Sequence, residues 1–175
     1  IPDHRRGIEI GLGSGRFAAP LGIEIGIDPS PKMREIAKSY GLEVYGAVAE
    51  ALPFGDGSFD FVLMVTTICF LDDVRLAFNE AYRILKPSGF LIVGFIDKNS
   101  LIGKLYERNK QKSVFYRHAH FYSTDEVISY LKEENFKNFD VLQTIFHELP
   151  KIDKVEPIKK GYGEGLFVAI RAIKQ

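Results

Sequence analysis

Only one of the 175 residues is a cysteine, Cys69, which excludes an internal disulfide, and no grouping of cysteine and histidine has zinc-site spacing. Surplus charge is also lacking: 23 Lys and Arg balance 23 Asp and Glu. No global field therefore draws the chain to nucleic acid or to an anionic membrane. The longest apolar run, residues 61–71, is broken by Thr66 and Thr67 and is too short to span a bilayer. Residues 1–15 lack the unbroken apolar centre of a secretory signal. Neither an internal repeat nor a low-complexity linker divides the chain. What is present is an ordinary globular composition, 46% hydrophobic and 26% charged, at a length that suits one domain. The expectation is one soluble cytoplasmic domain over residues 1–175, with no metal. Because the sequence opens on Ile1 and its first strand pattern follows six residues later, a segment upstream of residue 1 is also expected.

Short apolar segments alternate with helical patterns. Strands are expected over residues 7–12, 23–27, 42–48, 59–68 and 90–96. Residues 16–21 have room for barely a turn or two of helix before Pro20 and Gly22. Ser30 can cap a helix with Pro31 at its first position. Val74, Ala77, Phe78, Ala81 and Leu85 keep a helical period, with Arg83 and Lys86 in the last turn and Pro87-Ser88-Gly89 beyond it. Phe59 to Ile68 is nearly all apolar, as a strand buried on both faces is. This order predicts a parallel sheet wrapped by helices. A charged helix follows over residues 100–112, then an aromatic loop over 114–122. Ser123-Thr124-Asp125-Glu126 is a capping box that opens another helix. Strands over 139–146 and 166–172 end the chain, with a lysine-bearing loop over 151–163 between them.

The strongest local signal is Glu9-Ile10-Gly11-Leu12-Gly13-Ser14-Gly15, directly after a strand. Glycines there let backbone approach a ligand and expose amides at a helix start. Asp28 ends the next strand, where it can accept hydrogen bonds from a ribose diol. Together they indicate a nucleoside-cofactor site. Spacing alone leaves the cofactor open. Counted from Gly11 the dinucleotide fingerprint meets Arg16 and fails, but counted from Gly13 it is met by Gly15 and Ala18.

Three segments carry a resemblance. Glu9 to Gly15 is similar to the first motif of class I S-adenosylmethionine-dependent methyltransferases. Ala49-Glu50-Ala51-Leu52-Pro53-Phe54 with Ser58-Phe59-Asp60 resembles the AE-x-LPF…SFD segment of the family's small-molecule branch. Arg83-Ile84-Leu85-Lys86-Pro87-Ser88-Gly89 resembles its turn before the fifth strand. In this order they mark the type 11 methyltransferase domain. The resemblance implies an α/β, Rossmann-like, seven-stranded sheet with helices on both faces, parallel except for the last strand. It implies S-adenosylmethionine as cofactor, S-adenosylhomocysteine as product, and a small-molecule acceptor, an amine or hydroxyl being favoured. Carried over by position, Glu9 buttresses the glycine turn and the methionine end, with Gly11, Gly13 and Gly15 beneath. Asp28 binds the ribose, and Pro29 or Ser30 lies along the adenosine. Ala49, Glu50, Ala51 and Leu52 flank the adenine, and Thr66 faces the methionine moiety. Residues 98–122 form a lid, and the expected upstream segment is a helix that folds over the cofactor.

Val48 stands where relatives commonly carry an acid for the adenine amino group, Ser88 replaces a glycine, and only 13 positions separate Gly15 from Asp28. Phe115, Tyr116, Phe121 and Tyr122 form either an acceptor pocket, suited to a cationic or flat molecule, or a packing layer under the lid. His118 and His120 are the candidate general bases, because histidine titrates near neutrality. As metal ligands they lack a third partner nearby. Tyr106 and Lys110 match the Tyr-x-x-x-Lys pair of short-chain dehydrogenases, without the glycine spacing that goes with it. Interspersed acids make Lys151, Lys154, Lys159 and Lys160 a solvated loop rather than an RNA patch. Two other functions fit the same glycine turn: a non-catalytic cofactor-binding module and an NAD(P)-dependent oxidoreductase.

Overall fold

The computed structural model describes residues 6–175; Ile1 lies outside them. Strand β1 (Gly7–Ile10) leads through a single 3-10 turn to β2 (Ile25–Ile27), helix α1 (Pro31–Ser39) and β3 (Glu43–Tyr45). Then come β4 (Phe59–Val65), α2 (Val74–Ile84), β5 (Leu85–Ile96), α3 (Leu101–Asn109), α4 (Thr124–Glu133), β6 (Phe136–Thr144), β7 (Lys159–Lys160) and β8 (Phe167–Lys174). Among the described residues these strands form one eight-stranded sheet in the order β3-β2-β1-β4-β5-β8-β6-β7.

The sheet corrects the expected seven strands to eight. The extra strand, β7, is a pair of exposed lysines inside the segment read as a loop, matched to Leu142 and Gln143. Two polar residues carry no periodicity that could reveal a strand. β8 runs antiparallel to both β5 and β6, as expected of the last strand, and β7 is antiparallel to β6. Two strands, not one, therefore oppose the rest of the sheet.

Side-chain alternation along β4 explains the two layers of core. Val62 and Met64 pack with Ile8, Ile10, Leu91 and Val93 against Phe78 and Ala81 of α2 and Leu131 of α4. Phe61 and Leu63 face the other way, with Ala18, Ile23, Ala37 of α1 and Phe90. Helix starts are capped by side chains. Asp73 accepts from the N–H groups of Arg75 and Leu76, and Ser123 and Glu126 form a reciprocal capping box.

Two features position the site. The chain winds outward through β2 and β3 on one side of β1 and through β4 and β5 on the other, so strand order reverses between β1 and β4. Ligands of open α/β sheets bind outside the carboxyl ends of strands at such a reversal. Residues 98–122 leave the end of β5 and return beside it. The Lys98 N–H donates to the Tyr122 carbonyl at 3.1 Å, and the Lys98 ammonium pairs with Glu126 at 2.7 Å.

Candidate functional site

Residues 11–15 turn sharply at the end of β1. Gly11, Gly13 and Gly15 have φ of 70°, 55° and 82°, the left-handed region that favours glycine. A Cβ on Gly11 would lie 2.3 Å from the Thr67 side chain, whereas one on Gly13 would meet nothing within 4 Å among the described residues. The turn is thus packed beneath and open at Gly13. Asp28, buried at the end of β2, ties this turn to the next. Its Oδ2 accepts from the Gly13 N–H at 2.9 Å and its Oδ1 from the Ser30 N–H at 2.8 Å. A carboxylate has about four acceptor positions, so Asp28 retains capacity for further donors. Ser30 caps α1 by accepting from the Met33 N–H, and Pro29 is exposed beside it.

Glu9 is fully buried in β1, and neither carboxyl oxygen has a hydrogen-bond partner of ordinary geometry among the described residues. Burial pushes its carboxyl up to about 8, with the Ala18 N–H offsetting part of the rise. An acid of that kind is mostly neutral at pH 7 and has no positive partner among the described residues.

Two bracing residues escaped the sequence reading. The Arg34 guanidinium donates to the carbonyls of Asp28 (2.9 Å) and Pro29 (2.8 Å) and covers Gly46. A long cation in the second turn of a helix leans back toward the N-terminus, which is the signal that could have found it. The buried Thr67 hydroxyl lies 3.1–3.4 Å from the carbonyls of Val65, Ile10 and Gly11, locking β4 to the glycine turn. Its mark in the sequence is a polar residue at the end of an apolar run.

Along the adenine side expected from the resemblance, Ala49 and Leu52 are buried and Ala51 is exposed, bridged to Val48. Glu50 is partly committed elsewhere. Its Oε1 accepts from the N–H groups of Asp72 (3.0 Å) and Asp73 (3.2 Å) just before α2. Thr66, at the end of β4, has φ of 53°, an uncommon value for a β-branched residue.

The structure brings Thr66, Tyr116, Phe121 and Tyr122 together. With Cys69 they line a cavity of about 10 Å³ at the carboxyl ends of β4 and β5, about the size of one water. Phe115 does not line it; this ring is 63% exposed and packs edge-on against Phe70. Burial pushes the Cys69 thiol up to about 12, so it is an inert wall rather than a nucleophile. His120 is anchored by its backbone N–H to the Cys69 carbonyl at 2.8 Å, and its ring packs on Tyr122 at 4.6 Å. His118 is exposed, and its ring makes no hydrogen bond among the described residues. Tyr106 packs on Tyr116 at 5.9 Å, while Lys110 pairs with Glu107 at 2.7 Å.

A family model described as a methyltransferase domain matches residues 8–93. The crystal structure of a SAM-dependent methyltransferase from Thermotoga maritima, described as a possible histamine N-methyltransferase, is 52% identical with a TM-score of 0.97. That match covers 100% of this chain and 84% of the Thermotoga chain. An uncharacterized protein of Methanocaldococcus jannaschii is 52% identical over 169 residues, 97% of this chain and 82% of the relative. An uncharacterized protein of Mycobacterium tuberculosis is 36% identical over 172 residues, and the chain spans 60% of its length.

Proposed function

The chain belongs to the S-adenosylmethionine-dependent methyltransferases, and on that premise we propose that its methyl acceptor is a small molecule with an amine or hydroxyl nucleophile. The cofactor fits the residues present. The Glu9 carboxyl, without a hydrogen-bond partner of ordinary geometry among the described residues, suits the methionine ammonium, the open face at Gly13 admits a close backbone approach, and Asp28 has acceptor capacity for a ribose diol. When bound, S-adenosylmethionine supplies a methyl carbon activated by positive sulfur.

The protein's part is alignment and exclusion of water. In this reading Glu9 and the turn at Gly11, Gly13 and Gly15 hold the methionine end, and Asp28, Pro29 and Ser30 hold the ribose side. Ala49, Glu50, Ala51 and Leu52 flank the adenine; Glu50 keeps one carboxylate oxygen clear of the start of α2. Thr66 stands at the reacting end. Residues 98–122 act as the lid, with Tyr116, Phe121 and Tyr122 roofing the site. His120, packed against that roof, is the better placed of the two histidines to take a proton from an acceptor that arrives protonated.

The observation that carries the small-molecule reading is the aromatic roof, which leaves only about 10 Å³ at Thr66. Balanced charge supports it against a nucleic-acid substrate. The description of the Thermotoga relative supports starting with amines. The test is to incubate the protein with S-adenosylmethionine and separate pools of small amines, alcohols, RNA and protein. S-adenosylhomocysteine should form in equal amount with a methylated small molecule. Methylation confined to RNA or protein would overturn the reading. Unchanged turnover in a His118→Ala/His120→Ala double variant would remove both histidines from the mechanism.

A further inference from the structure

A second, larger cavity adjoins the roof. It measures about 490 Å³ and lies between α3 and the turn at residues 148–150, with Leu105, Tyr106, Asn109, Tyr116, Glu148 and Leu149 in its wall. That volume is in the range of small-molecule sites. Tyr116 lines both cavities, so the two spaces meet at this residue.

The chemistry of the wall is uneven. Leu105 and Leu149 offer apolar surface, and Tyr106 and Tyr116 add aromatic surface and hydroxyl groups. Neither tyrosine hydroxyl has a hydrogen-bond partner among the described residues. Desolvation raises both phenols above the usual tyrosine range, so they remain neutral hydroxyls at pH 7. Two charged groups border the space, and they differ in availability. The Lys110 ammonium is held by Glu107 at 2.7 Å and by the Ala119 carbonyl at 3.3 Å. Among the described residues Glu148 is paired only with the exposed Lys151 on its own turn, an arrangement that contributes little and exchanges easily. The charge more readily released to a ligand at the pocket wall is therefore the Glu148 carboxylate, whose pair is the more exposed of the two.

We propose that this cavity holds the body of the methyl acceptor and selects a small organic cation, an ammonium group on an apolar or aromatic frame. Because an ammonium has no lone pair, it serves as the anchor, and a separate nucleophile on the same molecule passes the Tyr116 ring toward Thr66. The proposal rests on the small-molecule reading above and names the class of acceptor.

Two probes of equal shape and opposite charge test it: 2-phenylethylamine and 3-phenylpropionate, titrated calorimetrically into the protein saturated with S-adenosylhomocysteine. The amine should bind saturably and the acid about tenfold more weakly or less. Leu149 is 51% exposed, so Leu149→Trp can fill the cavity from outside without disturbing the core. It should weaken the amine about tenfold and leave S-adenosylhomocysteine affinity unchanged. Glu148→Gln should erase the preference for the amine over the acid. Equal binding of the probes, or amine affinity indifferent to Leu149→Trp, would overturn the proposal. So would absence of amine binding to protein that does bind S-adenosylhomocysteine, which would leave the small-molecule reading standing. Failure of S-adenosylhomocysteine itself to bind would overturn both.

Discussion

Asp97 and Thr124, 27 positions apart, share a buried hydrogen bond of 3.0 Å that ties together the two ends of the 98–122 segment. Asp97 also turns the chain into α3, accepting from the Asn99 N–H at 3.0 Å while its carbonyl accepts from the Ser100 hydroxyl at 2.8 Å. The neck of the proposed lid is therefore anchored at both ends.

Thr124→Val keeps the shape of the side chain but removes the donor to the Asp97 carboxylate. Such a change should destabilise the protein by about 1.5–3 kcal/mol, since the bond involves an acidic acceptor that is left buried. Hydrogen exchange should accelerate over residues 98–122 more than over β4. Equal acceleration in both regions would mean that the bond supports the core generally and has no special part in holding the neck.

Glu9 makes stability depend on pH in a particular direction. Its folded value of about 8 stands above the ordinary 4.5, so between these values the folded protein keeps a proton that the unfolded chain has lost. Stability from this group consequently falls as pH rises from about 4.5 to about 8 and is level above that. The total loss is on the order of a few kcal/mol. Glu9→Gln carries no such proton. Calorimetric melting of both proteins across this window should show the variant gaining on the wild type as pH rises. If the proposed contact with the methionine ammonium is made, binding of S-adenosylhomocysteine at pH 7 should also release a proton from wild-type protein only. That release appears as a dependence of binding enthalpy on the ionisation enthalpy of the buffer.

The central strands were legible because apolar runs such as Phe59–Val65 have few other ways to be buried. The glycine turn and Asp28 were legible because backbone chemistry demands those residue types there. β7 was not, because two lysines owe their strand geometry to the neighbouring Leu142 and Gln143. Phe115 fits a pocket wall or a packing layer equally well by type, and the structure packs it on Tyr116 and on Phe70, the latter a contact across 45 residues that no local pattern encodes. Glu50 shows the same limit: its motif suggests a ligand contact, while tertiary folding gives one of its oxygens to the backbone before α2.

Arg34 gives a test of site positioning without direct ligand contact. Its two hydrogen bonds hold the carbonyls of Asp28 and Pro29, and so set where the Asp28 carboxylate points. Arg34→Met should weaken S-adenosylhomocysteine about tenfold, in line with losing one or two charge-assisted bonds. Arg34→Lys, which can reach one carbonyl, should recover part of the loss. Equal loss in both variants, with equal loss of melting temperature, would assign Arg34 to stability alone.

Gly11 and Gly13 separate folding from binding within one turn. Both have positive φ, so alanine at either costs about 1–2 kcal/mol in backbone strain. At Gly11 the added methyl would also lie 2.3 Å from Thr67, the residue that joins β4 to the turn, so Gly11→Ala should cost more stability than Gly13→Ala. At Gly13 the methyl meets no atom of the described residues within 4 Å and projects into the open side of the turn. Gly13→Ala should therefore fold with only the strain penalty, yet lose S-adenosylhomocysteine binding by about a hundredfold, because a carbon then stands where backbone must approach the ligand. Melting curves and calorimetric titration of the two variants check both halves. Tight binding by Gly13→Ala would place the cofactor away from this face of the turn and undo the role proposed for it.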